Sequence, residues 1–192
     1  MKGKGGGSGG RNVVLGVTGS IAAHRGLDLA SALTKAGCRV QVVLTADAQR
    51  FVTPLGFKTL SRNAVITDLY DEDEGWRPAH VRAADEADLL LVAPATAATI
   101  ARMAQGLADD ALGCIALALE PGTPVVVAPA MNGKMWGHPA TRANVEVLRS
   151  RGVEFVGPEE GMLSCGYEGT GRLAPVEAVV GRVLALLGTG GG

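Results

Sequence analysis

Three residues stand out as able to do chemistry: Asn132, His80 and Cys165. Asn132 sits in Pro129-Ala-Met-Asn-Gly-Lys-Met-Trp136, an amide set between two methionines and a tryptophan. Core packing accounts for Met131, Met135 and Trp136. It does not account for Asn132, which reads as one polar group directed at a ligand in an apolar pocket. His80 lies in Pro78-Ala-His-Val-Arg82. An imidazole there could move a proton near neutral pH, although spacing alone favours a structural histidine. Cys165 lies in Gly161-Met-Leu-Ser-Cys-Gly-Tyr-Glu-Gly-Thr-Gly-Arg172, with four glycines around it. That composition suits a mobile flap rather than a core, and leaves an inert loop thiol and a reactive one both open.

Three further segments carry small and polar residues where a ligand could approach. Gly16-Val-Thr-Gly-Ser-Ile-Ala22 follows an apolar run. Gly19 permits a tight turn, and Ser20 can cap a helix whose first N–H groups face a phosphate. The segment is not GxGxxG, which disfavours a dinucleotide. Thr45-Ala-Asp47 reads by itself as a helix cap. In Ala93-Pro-Ala-Thr-Ala-Ala-Thr99, Pro94 should end a strand, and small residues let a flat ligand reach the backbone. Thr96 and Thr99 add hydroxyls that could hold a phosphate or a ring edge. A plain strand-to-helix turn remains the alternative.

The elements that must position these segments are short apolar runs alternating with helical patterns. Val13–Val17, Val40–Leu44, Leu89–Ala93 and Pro124–Ala128 read as strands buried on both faces, and Val153–Val156 as a fifth. Ala22, Leu29, Ala32, Leu33 and Ala36 mark a first helix, ended by Gly37. Val176, Val179, Val180, Val183, Leu184 and Leu187 mark the last, with Pro175 at its first turn. The alternation predicts a single-domain α/β fold: a doubly wound, mainly parallel sheet with helices on both faces, of the Rossmann or flavodoxin kind. In such sheets ligands bind beyond the C-terminal strand ends, where the singled-out segments fall. We expect a folded domain over residues 12–187, with glycine-rich flexible tails at 1–11 and 188–192.

Composition narrows the function classes. The 192 residues are 47% hydrophobic and 19% charged, which suits one domain with a sizeable core. A net charge of -1 and a pI near 6.3 give no electrostatic footprint for nucleic acid or an anionic membrane. Cys38, Cys114 and Cys165 are scattered and odd in number, which disfavours a disulfide framework or a metal site. Cys38 should pack at the start of a strand and Cys114 in a helical core. His24 and His138 read as surface or packing residues. Neither a signal peptide nor an apolar run of about 20 residues is visible, and we expect a cytoplasmic protein.

In order along Val13–Ala174, the Gly-Ser-Ile-Ala turn, the Pro-Ala-Thr-Ala-Ala-Thr loop and Pro-Ala-Met-Asn-Gly-Lys-Met resemble the marks of the flavin-containing cysteine decarboxylases. Ala98 departs from the pattern, where many members carry Asn. The resemblance implies FMN, with its phosphate near Gly19, Ser20 and Ile21. Thr45, Asp47, Thr96, Ala97, Ala98, Thr99 and Ala130 would line the rest. It places an active-site histidine at His80, substrate binding at Asn132 and Met135, and a catalytic cysteine at Cys165. The glycine-rich segment around Cys165 is similar to that of phosphopantothenoylcysteine decarboxylases. They turn their substrate into phosphopantetheine for coenzyme A, through a thioaldehyde, loss of carbon dioxide and re-reduction of the enethiol. Homotrimers, often assembled into dodecamers, with flavin sites at subunit contacts are implied as well. The cysteine-coupling ligase step would fall to a separately encoded protein or to a ligase domain outside this sequence. Alternatives are a peptidyl-cysteine decarboxylase that stops at the enethiol, and a non-catalytic FMN-binding regulator.

Overall fold

Apolar runs without polar interruption become strands covered on both sides, since a residue on either face then meets a helix. The computed structural model describes residues 10–70, 77–162, 166 and 168–188. Its main sheet contains β1 (Asn12–Val17), β2 (Arg39–Leu44), β3 (Val65–Ile66), β4 (Leu89–Ala95), β5 (Val125–Pro129) and β6 (Glu154–Phe155), all parallel, in the order β3-β2-β1-β4-β5-β6. The five anticipated strands are present, shifted by one or two residues at their ends. β3 was not anticipated, because two residues are too few to register as a run.

Alternation along each strand builds two cores. Val13, Leu15 and Val17 face one cluster, with α1 (Arg25–Lys35), α2 (Pro54–Ser61) and α8 (Val176–Leu186). Val14 faces the other, with α3 (Ala79–Glu86), α4 (Ala97–Gln105), α5 (Ala111–Ala118) and α7 (Pro139–Ser150). The sheet is therefore doubly wound, as anticipated, and its strand order is that of dinucleotide-binding sheets.

Helix entries differ in detail from the expectations. After β1 the chain first makes a 3-10 turn over Ile21–His24, capped by Ser20, and only then α1. The buried face of α1 runs through Gly26, Leu29, Ala30 and Leu33, while Ala36 is exposed. Gly37, at φ 85°, ends it as expected. Pro175 occupies the cap position of α8, whose Val176, Val179, Val180 and Val183 are buried. Cys38 is buried just before β2, and burial pushes its thiol pKa up. Cys114 is only half-buried, because α5 turns that position toward its N-terminal loop, where Sγ donates to Ala108 O at 3.5 Å. His24 and His138 are exposed, and His138 Nδ1 accepts from Ala140 N–H at the start of α7.

The glycine-rich segment is not structureless at its base. β7 (Glu159–Met162) and β8 (Glu168–Arg172) pair antiparallel as a hairpin outside the main sheet. Glycines at positions 161, 169 and 171 break up the apolar alternation that normally marks strands, so backbone pairing is the only signal left. No helix among the described residues is long and apolar enough to cross a membrane.

Candidate functional site

From β1 the chain steps outward to β2 and β3, then returns for β4, β5 and β6 on the other side. The loops leaving β1 and β4 therefore diverge, and a crevice opens between them. A cleft of about 830 Å³ lies there. Its walls come from Gly19, Ser20 and Ile21 after β1, Thr96 after β4, and Ala130, Met131, Asn132 and Met135 after β5. The hairpin closes one side through Glu159, Glu160, Met162, Gly171 and Arg172, and His24 and Arg25 stand at the mouth.

Hydroxyls lock the three loops together. Thr18 Oγ1 donates to Pro94 O at 2.8 Å and accepts from Thr96 N–H at 3.0 Å. Ser20 Oγ donates to Ala130 O at 3.2 Å and accepts from Ala22 N–H at 3.3 Å. Thr96 caps α4, its Oγ1 accepting from Thr99 N–H at 3.2 Å. Gly19 is required by close approach rather than by turn geometry: a Cβ there would lie 2.4 Å from Asp47 Cβ. After β2 the capping group is Thr45, whose Oγ1 accepts from Ala48 N–H at 3.2 Å; Asp47 makes no side-chain cap. Pro94 does not end β4, which bulges between Val92 and Ala95 and continues to Ala95.

Asn132 opens the short helix α6 (Gly133–Gly137), its Oδ1 accepting from Lys134 N–H at 2.8 Å. This bond sets Oδ1 as the acceptor end of the amide and Nδ2 as its donor end. Trp136 is buried beneath the loop, while Met135 is half exposed in the cleft. β8 lies directly on the loop: Met131 N–H donates to Gly171 O at 3.0 Å, and a Cβ on Gly171 would be 2.1 Å from Met131 O.

The structure thus brings Gly19, Ser20, Ile21, Thr96, Ala130, Asn132 and Met135 to one cleft. Thr45 and Asp47, in the loop after β2, and Ala97, Ala98 and Thr99, in the first turn of α4, stand outside its lining. His80 is half-buried in the first turn of α3 and does not line this cleft. Its Nδ1 is buried without a hydrogen-bond partner among the described residues. Since α3 runs back to the start of β4, that first turn stands at the same edge of the sheet as the cleft. Cys165 lies outside the described residues. Sequence reasoning missed Thr18, Arg25, Glu159 and Glu160, while Met162, Gly171 and Arg172 fall in the segment read as a flap. The partner of Thr18 lies 76 residues away, and no local pattern marks Arg25, Glu159 or Glu160 as cleft residues.

The flavoprotein family model matches residues 4–188. Over 173 residues, 90% of this chain and 97% of the relative, the chain is 39% identical to a probable phosphopantothenoylcysteine decarboxylase of Streptococcus mutans. It is 48% identical over 170 residues to the coenzyme A biosynthesis bifunctional protein CoaBC of Bacillus subtilis, covering 88% of this chain but 41% of that protein. The chain therefore spans about two fifths of the length of that bifunctional relative. Among solved structures, a mutant PPC decarboxylase complexed with pantothenoylaminoethenethiol superposes with a TM-score of 0.84 at 28% identity, over 93% of this chain and 99% of the other. The FMN-dependent cysteine decarboxylase SpaF gives 0.79 at 33% identity, over 94% and 98%. The chain belongs to the flavoprotein family, in the company of its phosphopantothenoylcysteine and FMN-dependent cysteine decarboxylases.

Proposed function

We propose that this protein holds FMN in the cleft between β1, β4 and β5 and decarboxylates phosphopantothenoylcysteine to phosphopantetheine. The observation that carries the reading is the placement of Asn132 and Met135 in the same cleft as the Gly19–Ile21 turn and the Thr96 cap.

The residues present fit such a cofactor. The cleft volume falls within the range that encloses ligands of this size. Ile21, Ala130 and Met131 offer apolar surface for a flat ring, and Ile21 is 61% exposed at the opening. The Gly19–Ile21 turn leads into helical N–H groups suited to a phosphate. Because the single Ser20 hydroxyl proton is directed at Ala130 O, we assign the phosphate to backbone N–H groups there. Thr45, Asp47, Ala97, Ala98 and Thr99 complete the surround. The chemistry FMN supplies when bound is two-electron exchange with the carbon bearing the sulfur, which gives the departing carboxylate an electron sink.

The chain's own residues handle charge and protons. Asn132 Nδ2 donates to the substrate carboxylate and Met135 covers it. His80 takes the thiol proton as a neutral imidazole. Cys165, three residues beyond Met162 of the cleft wall, returns a proton when the enethiol is reduced. A thiol with an ordinary pKa of about 8.5 is mostly protonated at neutral pH, as a donor must be. His80 lies outside its own chain's cleft, so we place it in the cleft of a second copy, within a homotrimer or a dodecamer assembled from trimers. Activity is assigned to the cytoplasm, without nucleic acid or membrane partners.

FMN-loaded protein incubated with phosphopantothenoylcysteine should yield phosphopantetheine by mass spectrometry, with carbon dioxide released. No conversion would overturn the substrate assignment. Conversion only of a peptide ending in cysteine would move the protein to ribosomal-peptide modification. Bound flavin without either reaction would make it a regulator.

A further inference from the structure

β1 and β4 run side by side as far as the Gly16–Val92 pair. Beyond it the ladder stops, β4 bulges, and the two following loops part to open the cleft. Thr18 spans that opening. It is 1% exposed, its hydroxyl proton goes to Pro94 O at 2.8 Å, and its oxygen accepts from Thr96 N–H at 3.0 Å. Its own N–H also donates to Pro94 O, at 3.3 Å. With its proton committed and water excluded, Thr18 is not a ligand, and it does not line the cleft. What it holds is Thr96, which does line the cleft and caps α4.

We propose that Thr18 is a positioning residue for the cofactor. Its hydroxyl fixes the spacing between the Gly19–Ile21 turn and the Thr96–Thr99 cap, the two segments assigned above to FMN. The proposal rests on that FMN assignment. A side chain of the same shape without the hydroxyl would leave Thr96 N–H without its partner and Pro94 O with only the longer bond from Thr18 N–H, and the two loops would relax apart to regain partners. Binding groups need to be held within about half an ångström of their productive places, so the loss should appear as weaker flavin binding, beyond any loss of stability.

The test compares wild type, Thr18→Val, Thr18→Ser and Ser61→Ala. Ser61 is a matched control: it is 4% exposed and ties a turn through Asn63 N–H and O, at the opposite edge of the sheet. FMN is titrated by quenching of its fluorescence, and FMN-free samples are melted in parallel. Thr18→Val should bind FMN roughly tenfold more weakly or worse, while Thr18→Ser stays within about threefold of wild type. Ser61→Ala should melt earlier yet bind FMN like wild type. Thr18→Val that melts early but binds FMN with unchanged Kd would reduce Thr18 to a structural role and overturn the proposal. Thr18→Ser as weak as Thr18→Val would also overturn it, since the hydroxyl would not be the cause. Wild type unable to bind FMN would instead remove the cofactor assignment on which the proposal stands. A measurement on wild type alone covers the case in which Thr18→Val does not fold. In FMN-free protein the Thr96 amide should exchange hydrogen as slowly as the sheet amides, and exchange at the rate of an open loop would contradict the tie.

Discussion

Asn132 uses one end of its amide to cap its own helix, Oδ1 to Lys134 N–H, and the other end carries the chemical proposal. Asn132→Asp keeps an oxygen for the cap and should fold, but it places negative charge beside the substrate carboxylate. We predict kcat/KM for phosphopantothenoylcysteine lowered by roughly a hundredfold or more, with the melting temperature little changed. Cys165→Ser removes the acidic thiol while keeping a similar shape, and should release the enethiol in place of phosphopantetheine. Mass spectrometry separates the two products by two hydrogens. Asn132 was legible in the sequence because its apolar neighbours left it unexplained. Thr18 was not, because its partner Pro94 lies 76 residues away and nothing local distinguishes it from any polar residue ending a strand. Gly19 was legible as special but for the wrong reason, since the contact that demands it comes from Asp47 on another loop.

At the scale of elements, buried parallel strands announce themselves as unbroken apolar runs, and β1, β2, β4 and β5 were legible for that reason. β3 has two residues, and β7 and β8 carry glycine and glutamate where strands normally carry branched side chains. Those three therefore had no signal. The hairpin nonetheless forms one wall of the cleft, pressed on the Asn132 loop at Gly171. Gly171→Ala should force β8 away from Met131 and lower kcat/KM by about tenfold or more, while FMN affinity changes less. An equal loss of both would place the hairpin against the flavin instead. At the far side of the sheet, Glu154 of β6 meets Arg182 of α8 in a two-bond pair, with Arg182 Nη2 donating to Glu154 Oε1 at 2.7 Å. The hydrogen bond from Arg182 holds the Glu154 carboxyl below its ordinary pKa, and the same bond raises that of Arg182. A carboxyl with a depressed folded-state pKa adds stability above its unfolded pKa of about 4.3 and loses it as pH falls through the folded value. Glu154→Gln should therefore lower Tm by about 2 °C or less at neutral pH, the pair being exposed. In more acid solution the two proteins should melt alike.

For the molecule as a whole, the doubly wound architecture and the edge carrying the cleft were both legible, because strand–helix alternation fixes crossover handedness and ligands gather where strand order reverses. The place of His80 was not legible. Sequence spacing cannot say that α3 would set it outside the cleft of its own chain, with Nδ1 buried and unpartnered among the described residues. If copies share sites, His80→Asn and Asn132→Asp should each be nearly inactive alone. Mixed under conditions that allow subunit exchange, they should regain a fraction of wild-type activity, because some sites then draw both intact residues from different chains. Mixtures as inactive as their components would return His80 and Asn132 to a single chain. The central claim, that the crevice between β1 and β4 is a flavin site shared with the Asn132 loop, is tested most directly by a crystal structure of the protein grown with FMN. The account predicts the flavin ring against Ala130–Asn132, the phosphate at the Gly19–Ile21 turn and His80 of a second copy facing the ring. A flavin bound elsewhere, or one with no contact to these loops, would contradict it.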